Sequence, residues 1–173
     1  MSTATPAVSP DQYRKVMGRL PTGVVAITGI DDDGNDLAFV VGSFHSLSLQ
    51  PPIVTFSVGH TSSSWPKIRL RQVFTANILS STQLETCRAL ASKGPDKLKS
   101  ISYTAGPLGA PRIEGAIACI DCNVQSEVLV GDHFMVIGEV GAMESSDGDP
   151  LMFQAGKYGT YTHFEPAPIS TGA

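Results

Sequence analysis

Short β-rich segments separated by turn signals fill most of this chain and constrain its fold more than any other feature. Buried-strand patterns occupy residues 24–28, 37–41, 53–58, 73–79, 116–130, 134–143, 150–153 and 158–164. Compact polar hairpin turns are predicted at 31–36 and at Gly131-Asp132-His133. Together with short peripheral helices, this pattern predicts a mainly β fold, a small closed or partly open antiparallel barrel.

Three short helices are predicted around the strands. Ser9 is placed to cap the first helix, which ends near Gly18. Ser64 is placed to cap the second helix. Thr82 opens a capping box for the third helix, which runs to Ser92.

The composition favours one compact domain and restricts its partners. The chain has 173 residues, of which 42% are hydrophobic and 16% are charged. We assign the domain to residues 9–165, between disordered tails at 1–8 and 166–173. The net charge of −4 argues against nucleic acid as principal partner, because phosphate binding needs a basic face. No apolar run is long enough to span a bilayer and no secretory signal is visible, so we expect a cytoplasmic protein without membrane partners.

Motifs for metal binding or nucleophilic catalysis are absent from the sequence. Cys119 and Cys122 form a C-x-x-C, but in a strand an offset of three places them on opposite faces, where they could not share a metal. We find no G-x-G-x-x-G, P-loop lysine motif, H-E-x-x-H or G-x-S-x-G. We therefore expect no metal site, and we expect any chemistry to come from a bound cofactor.

The stretch 42–57 forms a hydroxyl-rich, nearly uncharged corner. Its serines Ser43, Ser46 and Ser48 supply donors beside backbone amides, and its double proline makes the corner rigid. Such a corner suits a flat polar heterocycle such as a flavin. The alternative is a surface turn between two strands.

The segment 59–71 has the composition of a phosphate site. It brings hydroxyls and cations close together, from Ser62, Ser63, Ser64, Lys67, Arg69 and Arg71. Free amides at a helix start add to their attraction for an anion. The alternative is an ordinary capped surface helix.

Two further polar residues are candidates for ligand contact. Asn77 lies inside an apolar strand pattern and either caps a local turn or reaches a ligand. His133 lies in a hairpin turn, where Asp132 is placed to orient its ring and bias its protonation. A polar turn residue without function is the alternative for His133.

Six short motifs occur in the order seen in the short-chain flavin reductases. They are Pro-Thr-Gly-Val at 21–24, Ser-Phe-His-Ser-Leu-Ser-Leu-Gln-Pro-Pro at 43–52, Ser-Ser-Ser-Trp at 62–65, Phe-Thr-Ala-Asn-Ile-Leu at 74–79, Gly-Asp-His at 131–133 and Lys-Tyr-Gly at 157–159. Over residues 13–162 the chain resembles these flavin reductase-like proteins with an FMN-binding split barrel, among them the reductase components of two-component flavin monooxygenases.

The resemblance implies a fold, an activity and partners. Members are homodimers of an antiparallel Greek-key split β-barrel, with flavin near the subunit interface. The implied activity is that of an NAD(P)H:flavin oxidoreductase, which transfers hydride from NADH or NADPH to FMN or FAD. Reduced flavin then serves a partner monooxygenase.

The resemblance also implies which residues bind the cofactors. The isoalloxazine edge is lined, largely through backbone groups, by Val40, Val41, Gly42, Ser43 and Phe44. The phosphate is met by Thr61, Ser62, Ser63 and Ser64, and its end of the flavin is also approached by Ser92 and Lys97. Asn77 lies against the flavin, and Tyr158 belongs to the same cofactor-binding set. His133, the residue assigned to the catalytic step, lies near the nicotinamide and orients NAD(P)H rather than carrying hydride.

The chain departs from the family pattern at three positions. Ala38 and Val40 stand where relatives have glycine and threonine, so a hydroxyl contact to flavin is lost at Val40. Lys157 replaces a more usual arginine and cannot make the same bidentate contacts. Ala38 and Val40 motivate an alternative, a non-catalytic flavin- or heme-binding protein of the same fold.

Overall fold

The computed structural model describes residues 7–94 and 97–164. Helices α1, α2 and α3 span Pro10–Met17, Trp65–Ile68 and Leu84–Ala91, and a short 3-10 helix follows α2 at Arg69–Arg71. The strands β1 to β12 are, in chain order, Thr22–Gly23, Val25–Ile30, Asp36–Val41, His45–Ser48, Ile53–Gly59, Val73–Ile78, Tyr103–Ala105, Pro111–Ile113, Ala118–Val130, His133–Ser145, Met152–Gln154 and Lys157–Gly159.

A seven-stranded antiparallel sheet forms the body of the fold, in the order β3-β2-β6-β9-β10-β5-β4. Its longest pairing is the hairpin of β9 and β10, which turns at Gly131 with φ of +62°. The consecutive strands β3 and β4 lie at opposite edges, and curling of the sheet brings β3 beside β5. The predicted fold class is confirmed: the chain is an antiparallel Greek-key split β-barrel with short outer helices.

The side chain of Ser43 joins the free edge of β3 to the part of β5 that extends beyond its pairing with β4. Its Oγ accepts a hydrogen bond from the Ser57 N–H (2.9 Å) and donates one to the Ser57 carbonyl oxygen (3.1 Å). Ser43 directly follows β3, and Ser57 lies on β5. We call this contact the seam. Because a side chain stands where a backbone partner would otherwise lie, the seam ties the two edges together and still leaves a cleft beside them.

An aromatic cluster fills the interior of the barrel. The rings of Phe56 and Trp65 meet edge to face at 5.3 Å between centroids, and those of Phe56 and Phe74 at 5.2 Å. Gly138 allows this packing, because a Cβ there would lie 2.6 Å from Cζ of Phe74. A second apolar cluster of Leu79, Leu90, Leu151 and their neighbours lies under α3.

A buried polar network crosses the barrel wall. Asp121 on β9 is fully buried, accepts a hydrogen bond from Thr75 Oγ1 (2.7 Å) and pairs with the guanidinium of Arg112. Arg112 also pairs with the exposed carboxylate of Glu144 at 2.8 Å. A buried carboxylate is tolerated only when it is paired and hydrogen-bonded in this way.

The helix predictions are partly confirmed. Ser9 caps α1, since its Oγ accepts a hydrogen bond from the Gln12 N–H at 3.2 Å. The capping box at Thr82 is wrong, because Gln83 is the N-cap of α3 and makes no side-chain capping bond. Instead, the Gln83 side chain accepts a hydrogen bond from the Ser80 N–H, and the Thr82 hydroxyl bonds that of Ser80.

The strand predictions also need correction at a few places. The predicted excursion at 103–111 includes β7 and the first residue of β8, which pair as a hairpin, and β4 lies within the predicted corner. The predicted last strand at 158–164 ends at Gly159, because its partner β11 begins at Met152. Residues 1–6 and 165–173 lie outside the described residues, so the domain limits 9–165 stay a prediction.

The seam predicts a stability effect. Ser43→Ala leaves the Ser57 N–H and carbonyl oxygen without this partner, so we expect the free energy of unfolding to fall by about 1–3 kcal/mol. Urea denaturation measures the loss. The control Ser126→Ala changes an exposed serine on β9 and should alter stability by less than about 0.5 kcal/mol. Equal effects of the two variants would contradict the importance of the seam.

Candidate functional site

A cleft of about 570 Å³ lies beside the seam, between the end of β3 and the outer face of β5. This volume is in the range of small-molecule sites. The cleft is lined by Phe39, Val40, Val41, Gly42, Ser43, Ser57, Val58, Gly59, Thr61, Ser62 and His133. It therefore brings the predicted flavin edge, part of the predicted phosphate segment and the predicted nicotinamide residue together.

Backbone groups of β3 supply one wall of the cleft. Since β3 is an edge strand of the described sheet, its outer N–H and C=O groups lie outside the ladder with β2. Gly42 lets the chain approach Thr22, because a Cβ at this position would lie 2.6 Å from Thr22 Oγ1. The Ser43 hydroxyl is taken up by the seam, so Ser43 offers a ligand its backbone rather than its side chain.

Hydroxyl groups of 61–64 form the second wall. Ser62 Oγ accepts a hydrogen bond from the Trp65 N–H (3.2 Å), and its O–H stays available as a donor. The exposed Thr61 lines the cleft beside it. Ser64, predicted to cap α2, makes no such bond because its backbone is already helical, and its side chain is buried. Ser63 is exposed at the surface.

The cations predicted beside the phosphate are engaged elsewhere. Lys67 lies 4.0 Å from a carboxylate oxygen of Asp31, Arg71 pairs with Asp32 at 3.1 Å, and Arg69 pairs with Glu127. Helix α2 is only four residues long and makes little contribution of its own. A phosphate here would therefore depend on hydroxyl and amide donors rather than on these side-chain charges.

His133 closes the far end of the cleft. Its Nδ1 lies 2.7 Å from Asp132 Oδ1, and this hydrogen bond holds the pKa of the Asp132 carboxyl below its usual value. A hydrogen bond to the carboxylate favours the proton on Nδ1, so Nε2 is the nitrogen left for a ligand. His60 fixes the turn, since its N–H donates to the Asp132 carbonyl oxygen at 3.0 Å.

Tyr158 lies on the opposite side of the 40–42 segment. It lines a smaller cavity of about 190 Å³ together with Thr22, Gly23, Val24, Val40, Val41, Gly42, Ala91 and Phe153. Tyr158 Oη lies 3.5 Å from Cys87 Sγ, and the side-chain hydrogen bond between them, together with burial, raises the pKa of the Tyr158 hydroxyl. Val40, Val41 and Gly42 line both this cavity and the main cleft. Ser92 follows Ala91 at the end of α3, exposed, with its Oγ donating to the Ala89 carbonyl oxygen.

The structure does not bring Asn77 into the cleft. Its side chain is fully buried and its Nδ2 donates to Ala26 O and Thr28 Oγ1. Its Oδ1 accepts hydrogen bonds from the Ile113 N–H and Cys119 Sγ. Asn77 of β6 thus joins its strand to β2, β8 and β9 inside the barrel wall. It neither caps a local turn nor lines the cleft.

Four other predicted residues lie outside the lining of the cleft. Phe44, Ser46 and Ser48 line an apolar groove of about 420 Å³ that also includes Met143. Lys97 is half-buried in the connector after α3, and burial lowers its pKa. Conversely, sequence reasoning missed Phe39, Ser57, Val58 and Gly59, and only the alternation of β5 residues could have indicated Ser57.

The donor set of the cleft fits a flavin phosphate and offers nothing suited to a metal. Backbone amides and hydroxyls are the groups that bind planar heterocycles and phosphates in proteins. No group of three or more potential metal ligands occurs among the described residues. None of the described helices is long and apolar enough to cross a membrane.

Known proteins are similar to this chain in sequence and in fold. The family model for the flavin reductase like domain matches residues 17–162. A flavin reductase of Pseudomonas putida is 43% identical over 156 residues, which are 90% of this chain and 92% of that protein. HsaB, the reductase subunit of a flavin-dependent monooxygenase in Rhodococcus jostii (strain RHA1), is 40% identical over 95% of this chain and 83% of its own length.

A solved structure agrees with these similarities. Nitrilotriacetate monooxygenase component B from Mycobacterium thermoresistibile superposes with a TM-score of 0.85 at 34% identity, covering 94% of each chain. The fold is that of a split-barrel protein, and its cleft carries donors that fit a flavin. The chain belongs to the flavin reductase-like family, as its motifs predicted.

Proposed function

We propose that this chain is an NAD(P)H:flavin oxidoreductase that transfers hydride from NADH or NADPH to FMN or FAD. The observation that carries the proposal is the meeting of three elements in one cleft: the free edge of β3, the hydroxyls of Thr61 and Ser62, and His133. The flavin reductases among its relatives support the same activity.

Each element has a role that its chemistry supports. Backbone amides at 40–43 stabilise negative charge at the pyrimidine edge of the flavin. Ser62 donates to the flavin phosphate. His133, oriented by Asp132, positions the nicotinamide through Nε2. A bound flavin supplies the hydride-accepting chemistry, so the protein's task is to hold the two rings in contact.

The partner is proposed to be a flavin-dependent monooxygenase. The R. jostii relative is the reductase subunit of such an enzyme, and the structural neighbour is a monooxygenase component. The cleft is bordered by exposed residues such as Thr61 and His133, so reduced flavin has a route of exchange. The three described thiols are free and buried, which supports the cytoplasm as the compartment.

A turnover panel tests the activity. Purified protein is mixed with NADH or NADPH and with FMN or FAD, and oxidation of the nicotinamide is followed at its absorbance maximum. At least one of the four pairings should turn over. No turnover with any pairing would contradict the proposal, and a retained chromophore without turnover would favour the non-catalytic flavin- or heme-binding alternative raised by Val40.

Two substitutions should separate the ends of the cleft. His133→Ala should raise the KM for NAD(P)H about tenfold and leave the Kd for FMN nearly unchanged, because the histidine faces the nicotinamide. Ser62→Ala should weaken the binding of FMN by about tenfold and the binding of riboflavin much less, because only FMN carries the phosphate. Steady-state kinetics and calorimetry measure both effects. The reverse pattern would contradict these assignments.

We also propose a homodimer. Val128, Val130 and Met135 are exposed on the face of the β9–β10 hairpin that carries His133. An apolar surface beside the cleft supports a second copy as its cover. Sedimentation should therefore give the mass of a dimer, and Val128→Glu should shift the protein to a monomer. The control Leu70→Glu alters an exposed leucine away from this face and should not. A wild-type monomer would contradict the dimer.

A further inference from the structure

Glu127 makes a contact that the flavin and nicotinamide roles leave unexplained. It lies on β9, opposite Val136 of β10, within the hairpin that ends at His133. Its side chain reaches across to the segment that follows the serine hydroxyls. Oε2 accepts a hydrogen bond from the Trp65 indole N–H at 2.9 Å, and Oε1 pairs with the guanidinium of Arg69.

The first partner, Trp65, is hydrogen-bonded to one of the hydroxyl groups of 61–64 that form the second wall of the cleft. Trp65 is the only tryptophan of the chain, is 1% exposed and directly follows Ser62-Ser63-Ser64. Its backbone N–H, as distinct from the indole N–H that donates to Glu127, donates to the Ser62 hydroxyl at 3.2 Å, so a displacement of Trp65 moves Ser62 with it. The indole ring is confined by edge-to-face contacts with Phe56 and Phe74.

The second partner, Arg69, contacts the hairpin that carries His133 at the far end of the cleft. The Arg69 guanidinium lies 5.9 Å from the ring centroid of Phe134, the residue that follows His133. At the tip of the hairpin, His60 Nδ1 lies 2.7 Å from the Asp132 carbonyl oxygen. The serine segment and the hairpin are therefore tied at two points, at the tip by His60 and at the stem by Glu127.

We propose that Glu127 is a positioning residue that sets the separation between the phosphate donors and the nicotinamide histidine. The carboxylate is about three-quarters buried, with an exposed fraction of 26%, so its two charge-assisted hydrogen bonds are shielded from water. Loss of either bond frees Ser62 and His133 to move relative to each other, and small displacements of this kind are costly in an active site. The inference rests on the proposed function for its kinetic part, while its binding and spectroscopic parts stand without turnover.

The test compares Glu127→Ala and Glu127→Gln with Glu144→Gln. This matched control neutralises an exposed carboxylate on β10 that pairs with Arg112. Glutamine at 127 keeps an oxygen that accepts from Trp65 and loses the charge that holds Arg69. Three readouts are used: Trp65 emission without ligand, Kd for FMN and for riboflavin, and kcat/KM for NAD(P)H.

Glu127→Ala should shift the Trp65 emission and lower kcat/KM for NAD(P)H about tenfold. It should weaken the binding of FMN about tenfold and the binding of riboflavin by less than about threefold. Glu127→Gln should restore part of each effect, and Glu144→Gln should resemble the wild type. If Glu127→Ala does not fold, Trp65→Phe replaces it, since phenylalanine keeps an aromatic ring and removes the indole N–H. The preference of the Trp65→Phe variant for FMN over riboflavin should fall as it does in Glu127→Ala.

A purely structural role makes a different set of predictions. In that case the Glu127 variants would lower the melting temperature. The Trp65 emission, the ratio of FMN to riboflavin affinity and kcat/KM per folded molecule would stay at the values of Glu144→Gln. This result would overturn the proposal. A wild type without turnover whose FMN preference still depends on Glu127 would refute the reductase function and support the positioning role.

Discussion

The seam between Ser43 and Ser57 is the constraint on which the site depends. A single hydroxyl satisfies both the N–H and the carbonyl oxygen of Ser57, and so joins the strand edges that the topology leaves apart. A continuous backbone ladder at this place would close the barrel and remove the cleft. An unbonded edge would leave β3 without a fixed position against β5. The split in the barrel is thus held open and held in place by one side chain.

The chemistry of the cleft follows from what lies on each side of that seam. The free edge of β3 offers backbone groups, which recognise a planar polar ring without a charged side chain. The other wall follows β5 to Gly59, which pairs with His133 of β10 and lines the cleft beside it. Neither wall carries an acid or base that the reaction would need, which agrees with chemistry supplied by a cofactor.

Local signals made much of this structure predictable from the sequence. Strand and turn patterns gave the fold class, and the ordered motifs around Ser43, Ser62 and His133 located three walls of one cleft. Long-range pairing was not predictable. The cations expected at the phosphate are drawn to Asp31, Asp32 and Glu127, which are distant in sequence. Both faces of β6 are buried, so its residue pattern does not tell whether Asn77 faces a ligand or the barrel wall. The role of Ser57 depends on a partner across the split.

A crystal structure of the protein soaked with FMN tests the central claim most directly. We predict density for the flavin ring along residues 40–43, with its phosphate at Thr61 and Ser62 and with His133 beside the exposed face of the ring. Density only in the apolar groove beneath Phe44 and Met143, with the cleft beside the seam empty at saturating FMN, would contradict the account.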